Sequence, residues 1–187
     1  MSNLIFTIKR GASLFSIVSI FIPAVFILDA AYAQQDLEAR VLDIVFRVED
    51  LQGATLDLQV KETETEIRIE LSGDILFDFD KWNIRPAAEP VLTQVAEVIN
   101  QYPNAAVLIV GFTDSKGSDS YNLKLSDRRA ASVKDWLVKN GKVGNKKFTT
   151  KGMGEADPVA PNENPDGSDN PDGRQKNRRV EITVKKE

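Results

Sequence analysis

The chain has 187 residues, of which 42% are hydrophobic and 28% charged, a composition typical of a globular protein. It contains no cysteine and no histidine. This excludes disulfide frameworks, thiolate metal sites and a lipid-modified N-terminal cysteine, and it leaves a catalytic triad or a metal hydrolase without its usual side chains. The formal net charge of −4 argues against nucleic acid as a partner, so any anionic ligand must be bound by local positive charge.

Residues 1–33 have the pattern of a secretory signal peptide. Two basic residues precede a mostly apolar stretch, and Ala31-Tyr32-Ala33 forms a small-x-small cleavage site, which predicts a mature N-terminus at Gln34. The alternative is an uncleaved membrane anchor over residues 11–28, which is at the short limit for spanning a bilayer and is interrupted by Pro23. We therefore expect cleavage and a periplasmic protein.

The segment 34–72 precedes the most informative part of the chain. The apolar residues of 34–54 fit a helical stripe and a strand equally well. From Thr55 the alternation is clear, because apolar residues occupy every second position on both sides of a polar turn at 62–66. This predicts a β-hairpin with one polar face. The segment is expected to pack on the domain that follows or to contact an outer-membrane or other envelope protein.

Asp74–Phe79 is predicted to be the next strand. Asp78 and Asp80 flank Phe79 at its end, a spacing that suits either an acid–base pair or a solvated strand end. A helix is then predicted to begin at Pro86, since proline is well tolerated in a first turn. Its apolar stripe consists of Ala88, Leu92, Val95 and Ile99.

Val107–Val110 is a short apolar run between turn residues, which predicts a strand covered on both faces. It delivers Asp114 to the C-terminal end of a strand, where ligands bind in open α/β sheets. An amphipathic helix follows, and its packing face carries Asn122, Leu125, Arg129, Val133 and Trp136. Arg129 therefore needs a nearby anion, because desolvating an unpaired charge is costly.

Two interpretations of Asp114 and Arg129 follow. In the first, they form a structural salt bridge between strand and helix. In the second, they are opposite charges held apart in a cleft to bind a zwitterion. Structural ion pairs also place charges inward, so the spacing alone favours the salt bridge.

The C-terminal part is predicted to contain a strand at Phe148–Lys151, a polar loop at Glu155–Arg174 and a last strand at Arg179–Lys185. The acidic residues of the loop lack the spacing and the closing glutamate of a calcium site, so we predict a solvated loop and no metal. Arg178 shares parity with the buried side chains of the last strand. We expect Arg178 to pair with a carboxylate near the pocket floor and Arg179 to be solvated.

The stretch Gly111–Ala130 resembles the signature of OmpA-like peptidoglycan-binding domains, the domain type of OmpA, Pal and MotB. It contains Gly-Phe-Thr-Asp-x-x-Gly followed by Tyr-Asn-x-x-Leu-Ser-x-x-Arg-Ala. Further matching motifs lie at Ile75–Lys81, Gly152–Glu155 and Gly173–Ile182, so the resemblance covers about residues 73–185 in order. Relatives often carry histidine where this chain has Phe112. Phe112 precedes the motif's Asp, so we do not expect this change to abolish binding.

The resemblance implies non-covalent binding of diaminopimelate in the peptide stem of peptidoglycan. It implies that Asp114 binds the ligand's ammonium group and that Arg129 binds its carboxylate, which suits the arginine fork. The other residues implied to hydrogen-bond the ligand are Asp80, Thr113 and Asn122. Arg178 and Asn177 are expected to play structural parts near the pocket.

The predicted fold is α+β: a two-layer sandwich with a mixed sheet, in the order strand–helix–strand–helix–strand–strand, preceded by a β-hairpin. The expected organisation is a signal peptide at 1–33, an N-terminal segment at 34–72 and an OmpA-like domain at 73–187. The helices are expected on one face of the sheet.

The predicted function is binding rather than catalysis, with no cofactor. The protein is expected to dock an envelope component to the cell wall from the periplasm. The alternative is a membrane-anchored structural component of an envelope-spanning or stator-like assembly, with the N-terminus uncleaved. A wall hydrolase is disfavoured, because without histidine or cysteine only carboxylates could act as nucleophile or base.

Overall fold

The computed structural model describes residues 42–49, 55–144 and 147–186. The predicted signal peptide at 1–33 and its cleavage site lie outside the described residues. The sequence of residues 34–54 fitted a helix and a strand equally well. The part of it that the structure describes, Leu42–Glu49, is a strand. In the part of the chain that the structure describes, no helix has both the length and the apolarity to cross a bilayer.

The described residues contain six strands and four α-helices. The strands are β1 Leu42–Glu49, β2 Thr55–Glu62, β3 Glu66–Ser72, β4 Ala106–Gly111, β5 Lys147–Gly152 and β6 Arg179–Lys185. The helices are α1 Gly73–Leu76, α2 Glu89–Asn100, α3 Asp119–Lys139 and α4 Pro171–Asn177, with a 3₁₀ turn Pro86–Ala88 before α2.

The strands form one mixed sheet in the order β1-β2-β3-β6-β4-β5. Only β4 and β5 run parallel, because α3 connects them as a crossover; the other neighbours are antiparallel. The hairpin predicted from the alternation after Thr55 is confirmed as β2 and β3. It extends the sheet, since β3 pairs with β6 over the whole length of both strands. The predicted α+β class with a mixed sheet is also confirmed.

The core lies between one face of the sheet and the two long helices. The strands contribute alternate side chains, each at most 3% exposed: Ile67, Ile69, Leu71, Val107, Ile109, Val180, Ile182 and Val184. The predicted apolar stripe is confirmed, because Leu92, Val95 and Ile99 of α2 and Ala88 of the preceding 3₁₀ turn are all 0% exposed. Every second side chain of the strands and one side-chain stripe of each helix therefore pack into one apolar layer. Burial of this layer is the main force that holds the domain together.

Two local predictions are wrong. Asp74–Phe79 is not a strand: β3 ends at Ser72, whose hydroxyl accepts a hydrogen bond from the backbone N–H of Asp74 at 3.3 Å and caps the one-turn helix α1. The strand Val107–Val110 is not covered on both faces. Its side chains alternate between buried and half-buried, because the helices cover only one face of the sheet.

Candidate functional site

A cleft of about 730 Å³ opens beyond the C-terminal end of β4. Three segments meet there: the 77–82 loop, the 113–117 loop with the start of α3, and α4. Residues that are far apart in the chain therefore line one hollow, at the position where open sheets bind ligands. The cleft includes all five residues predicted to contact a ligand: Asp80, Thr113, Asp114, Asn122 and Arg129.

Asp114 is 8% exposed and follows Phe112 and Thr113 in the loop after β4. Its Oδ1 accepts a hydrogen bond from the backbone N–H of Lys116 at 3.0 Å. Its Oδ2 accepts one from Nη1 of Arg178 at 2.8 Å and a longer one from Nη1 of Arg174 at 3.4 Å. The carboxylate is therefore held in one orientation at the wall of the cleft by charge-assisted bonds.

Arg178 connects two carboxylates. Its Nε and Nη2 donate to the two oxygens of Asp74 at 2.9 and 2.8 Å, and its Nη1 donates to Asp114. The hydrogen bonds from Arg178 hold the pKa of the Asp74 carboxyl below its ordinary value, and those to Asp74 raise the pKa of Arg178. The sequence predicted one carboxylate partner for Arg178, and the structure shows two, Asp74 and Asp114.

Arg129 has no such partner. It is 5% exposed, its Nε donates to the backbone carbonyl of Lys81 at 3.0 Å, and its guanidinium lies 5.1 Å from the ring centroid of Phe77. Among the described residues, no carboxylate lies within salt-bridge distance of Arg129, and burial lowers its pKa. The salt-bridge interpretation of Asp114 and Arg129 is therefore wrong, because Arg178 and Arg174 occupy the carboxylate of Asp114 instead.

Thr113 and Asn122 line the same cleft. Thr113 is 5% exposed, and its Oγ1 is buried without a hydrogen-bond partner in the described part of the chain. Asn122 is 1% exposed and donates from Nδ2 to the Asp114 carbonyl at 3.3 Å and to Oε2 of Glu155 at 3.0 Å. Native proteins rarely leave a buried hydroxyl unpaired, so the Thr113 oxygen is an unsatisfied polar atom beside the cleft.

Asp80 is exposed at the mouth of the cleft. It has a left-handed backbone conformation, with φ of 61°, in which aspartate is one of the better tolerated residues. Phe77, Asp78 and Phe79 of the same loop also line the cleft. The carboxylate pair considered for Asp78 and Asp80 is not a shared acid–base site, because Asp78 forms ion pairs with Lys81 and Arg85.

Asn177 does not line the cleft. It is 1% exposed, and its Oδ1 accepts hydrogen bonds from the backbone N–H groups of Val159 and Ala160 at 2.9 and 3.0 Å. Its Nδ2 donates to the Ala160 carbonyl and to Oδ1 of Asn162, both at 2.8 Å. Asn177 therefore anchors the long loop after β5 to the end of α4.

The prediction that Arg179 is solvated is wrong. Arg179 is 3% exposed, its guanidinium lies 3.7 Å from the ring centroid of Phe112, and its Nε donates to Glu181 at 2.7 Å. Its Nη2 donates to the carbonyl of Asp157 at 3.1 Å. Arg179 is on the helix-free face of the sheet, but at this end Phe112 and the loop after β5 cover that face. Phe112, the departure from the family pattern, packs here rather than in the cleft.

Arg174 was missed in the sequence, where it fell at the end of a predicted solvated loop. It lies in α4 and binds Asp169 through Nε and Nη2 at 2.9 and 2.5 Å, in addition to its contact with Asp114. Lys116 also pairs with Asp169, at 3.1 Å. Asp169 thereby ties the loop before α4 to the 113–117 loop across the cleft. The signal available in the sequence was the Gly173-Arg174 pair of the downstream motif.

The lining of the cleft contains side chains of both signs of charge. Within residues 42–49, 55–144 and 147–186, no cluster of three acidic side chains has the geometry of a metal site. Among the described residues, the cleft offers a fixed carboxylate, a buried guanidinium without an anion in salt-bridge distance and an unpaired hydroxyl. This set of groups suits a small ligand that carries both a positive and a negative charge.

Comparisons with known proteins and solved structures agree with this fold. A protein of Gloeobacter violaceus named photosystem I P700 chlorophyll a apoprotein A2 is 47% identical over 139 residues, which are 74% of this chain and 16% of that protein. The peptidoglycan-binding protein ArfA of Mycobacterium tuberculosis is 39% identical over 132 residues, which are 71% of this chain and 37% of that protein. The chain thus spans less than half the length of either of these curated relatives.

Among solved structures, the cell wall anchor of the T6SS from Pseudomonas aeruginosa has a TM-score of 0.60 and 30% identity to this chain, covering 70% of this chain and 88% of that one. The model of the OmpA family matches residues 76–171, just over half of the chain. This range runs from the end of α1 to the start of α4 and contains Asp80, Asp114 and Arg129. The chain therefore belongs to the OmpA family.

Proposed function

We propose that this protein binds diaminopimelate-type peptidoglycan non-covalently and docks an envelope component to the cell wall. The observation that supports this most directly is Arg129: a buried guanidinium that lines the cleft and has no carboxylate partner among the described residues. A buried charge without an anion in direct contact is costly to the fold. A binding site accounts for that cost, since the ligand supplies the missing anion.

Diaminopimelate fits the cleft because the free end of its side chain carries an ammonium and a carboxylate group on one carbon. In the proposed complex, the carboxylate binds the guanidinium of Arg129 and the ammonium binds Asp114. The 3.4 Å contact between Arg174 and Asp114 is the weakest bond to this carboxylate, so the ammonium replaces it while Asp169 retains Arg174. The hydroxyl of Thr113 and the amide of Asn122 complete the hydrogen bonds.

The named relatives support the coarser part of the proposal. ArfA is named as a peptidoglycan-binding protein, and the structural neighbour from Pseudomonas aeruginosa is described as a cell wall anchor. Neither name specifies diaminopimelate, which rests here on the cleft and on the resemblance of its residues. We place the protein in the periplasm, with residues 1–33 removed as a signal peptide; the intact mass of the protein from its native host tests that removal.

The test is co-sedimentation of the purified protein with isolated sacculi of two kinds, one with diaminopimelate and one with lysine at the same stem position. Lysine keeps the ammonium but lacks the carboxylate, so the wild type is expected to pellet with the first kind only. Arg129→Gln and Asp114→Asn are expected to stay in solution, with folding checked by circular dichroism. Arg68→Gln is the matched control, because Arg68 is an exposed arginine on β3 outside the cleft.

Equal pelleting with both kinds of sacculi would disprove the recognition of diaminopimelate. A wild type that pellets with neither would disprove wall binding altogether. Folded Arg129→Gln that pellets like the wild type would show that the cleft is not the binding site.

A further inference from the structure

Phe79 is almost completely exposed at the mouth of the cleft. It is 95% exposed and lies in the 77–82 loop, next to Asp80. Trp82, in the same loop, is 38% exposed. A large aromatic side chain in water gains nothing for folding, and exposed aromatics beside a binding cleft are typical of contact surfaces. The proposed ligand contacts described so far make no use of Phe79.

The loop that presents Phe79 is held in place from both sides. Phe77 and Ile84 form an isolated β-bridge at its base, and the backbone N–H of Lys81 donates to the Asp78 carbonyl at 3.1 Å. The guanidinium of Arg128 lies 4.5 Å from the ring centroid of Trp82. Phe79 is thus carried outward by a braced loop, so a partner meets it without having to order the loop first.

Arg129 connects this loop to the cleft. Its Nε donates to the carbonyl of Lys81, two residues beyond Phe79. Two residues span at most about 7 Å, so Phe79 lies within a short reach of the guanidinium that we propose as the carboxylate site. In a peptidoglycan stem, two amino acids separate diaminopimelate from the sugar. The sugar is therefore within reach of Phe79 when diaminopimelate is bound.

We propose that Phe79 is a stacking platform for the sugar that carries the peptide stem. This inference rests on the proposed function, since the bound diaminopimelate sets the position of the sugar. A pyranose ring presents a face of C–H groups with slight positive charge, which complements the negative face of an aromatic ring. Sugar hydroxyls would meet water and the exposed carboxylate of Asp80 beside it.

Two features favour a sugar over the other occupants of an exposed aromatic. Asp80 lies next to Phe79, and its exposed carboxylate opposes an anionic membrane surface, whereas Asp78 is already paired with Lys81 and Arg85. The exposed surface of Phe79 and Trp82 is also small compared with the roughly 800 Å² that each partner buries in a standard protein interface.

The experiment measures the affinity of the purified protein for two probes by isothermal titration calorimetry. One is the free tripeptide L-alanyl-D-glutamyl-diaminopimelate, and the other is the same tripeptide on its N-acetylglucosamine–N-acetylmuramic acid disaccharide. The wild type is expected to bind the disaccharide form about three- to tenfold more tightly, the advantage of one good aromatic contact. In Phe79→Ala this advantage disappears, and in Phe79→Tyr it is retained.

Leu123→Ala is the matched control, because Leu123 is 52% exposed and does not line the cleft; it is expected to keep the full advantage. The inference is overturned if the wild type binds both probes equally, or if Phe79→Ala keeps the advantage or loses affinity for both probes alike. A wild type that binds neither probe overturns the proposed function and this inference with it. Binding of both probes with equal strength overturns only this inference.

Discussion

The guanidinium of Arg178 donates a 2.8 Å hydrogen bond to Asp114 across 64 positions of the chain. The same guanidinium holds Asp74 through two more hydrogen bonds, so one side chain joins the end of β4, the helix α1 and the start of β6. This leaves Asp114 oriented towards the cleft and Arg129 without a carboxylate partner among the described residues. Arg178 thus has a structural part, whereas Arg129 is the guanidinium that we propose as the binding site of the ligand's carboxylate.

The first prediction concerns Arg178. Arg178→Ala is expected to lower the free energy of unfolding by about 2–4 kcal/mol, because the mostly buried carboxylate of Asp114 loses its shortest charge-assisted bond and Asp74 loses both of its bonds to Arg178. This loss is measured by urea denaturation, with circular dichroism as the signal for unfolding. Arg68→Ala, which removes an exposed arginine from β3, should cost less than about 1 kcal/mol. Equal losses in the two variants would contradict a structural part for Arg178.

The second prediction is that stability and binding oppose each other at Arg129. Arg129→Leu removes a buried charge that has one hydrogen bond to the backbone and replaces it with apolar volume. We expect the variant to be as stable as the wild type or more stable by up to about 2 kcal/mol, while it no longer pellets with diaminopimelate sacculi. Val133→Ala, one turn further along α3 and 0% exposed, should instead lose about 1–3 kcal/mol.

Thermal and urea denaturation of the Arg129 and Val133 variants, run beside the sedimentation assay, check this prediction. A large loss of stability in Arg129→Leu would mean that the guanidinium is satisfied within the protein. The case for an anion-binding site at Arg129 would then fail.

The third prediction concerns acid stability. Hydrogen bonds from Arg178 place the pKa of Asp74 below its ordinary value of 3.8. Because the folded-state pKa is the lower one, ionised Asp74 stabilises the fold at pH values above the ordinary pKa. This contribution is lost as the pH falls through the folded-state value. We therefore expect the free energy of unfolding to fall between neutral pH and strong acid, and to fall less steeply in Asp74→Asn.

Urea unfolding at a series of pH values from 7 to 2 tests this dependence. Asp172→Asn serves as the control, since Asp172 is an exposed aspartate at the start of α4 and is expected to keep the acid slope of the wild type. Identical slopes in Asp74→Asn and the wild type would contradict the prediction.

The fourth prediction concerns the contact between β4 and α3. A Cβ atom at Gly111 would lie 2.3 Å from the carbonyl oxygen of Ser126, which is backbone and has no side-chain freedom to move away. Gly111→Ala should therefore push α3 off the sheet, lower stability by about 1–3 kcal/mol and weaken wall binding, because α3 carries Arg129. At Gly144 a Cβ atom would meet nothing within 4 Å, so Gly144→Ala is the matched control. Equal thermal midpoints for the two variants would show that the close approach is not limiting.

The parts of the fold that repeat locally could be predicted from the sequence. The alternation of apolar residues identified the β2–β3 hairpin and placed β6 at Arg179–Lys185, and helical spacing gave the buried stripe of α2. The strand predicted at Asp74–Phe79 failed because a capping serine ended β3 before it. A single hydrogen bond to a cap outweighed a short apolar pattern there.

The candidate site could be predicted from the sequence only in part. The inward position of Arg129 followed from the helix period, and the motif spacing brought Asp80, Thr113, Asp114 and Asn122 to attention as a group. Which charges pair with each other did not follow. Arg174 and the buried position of Arg179 depend on α4 and on the loop after β5, and these have too little periodicity to be placed in advance.

By itself, the sequence determined most of the strands, the long helices, their buried stripes and most residues of the candidate site, because side-chain periodicity and motif spacing act over a few neighbouring positions. Only the tertiary structure decided the order of the strands and the partners of the buried charges. Ion pairs depend on distance in space, and β6 lies between β3 and β4 in the sheet. The chain therefore brings Arg178 to Asp114 and leaves Arg129 in the cleft without a carboxylate among the described residues.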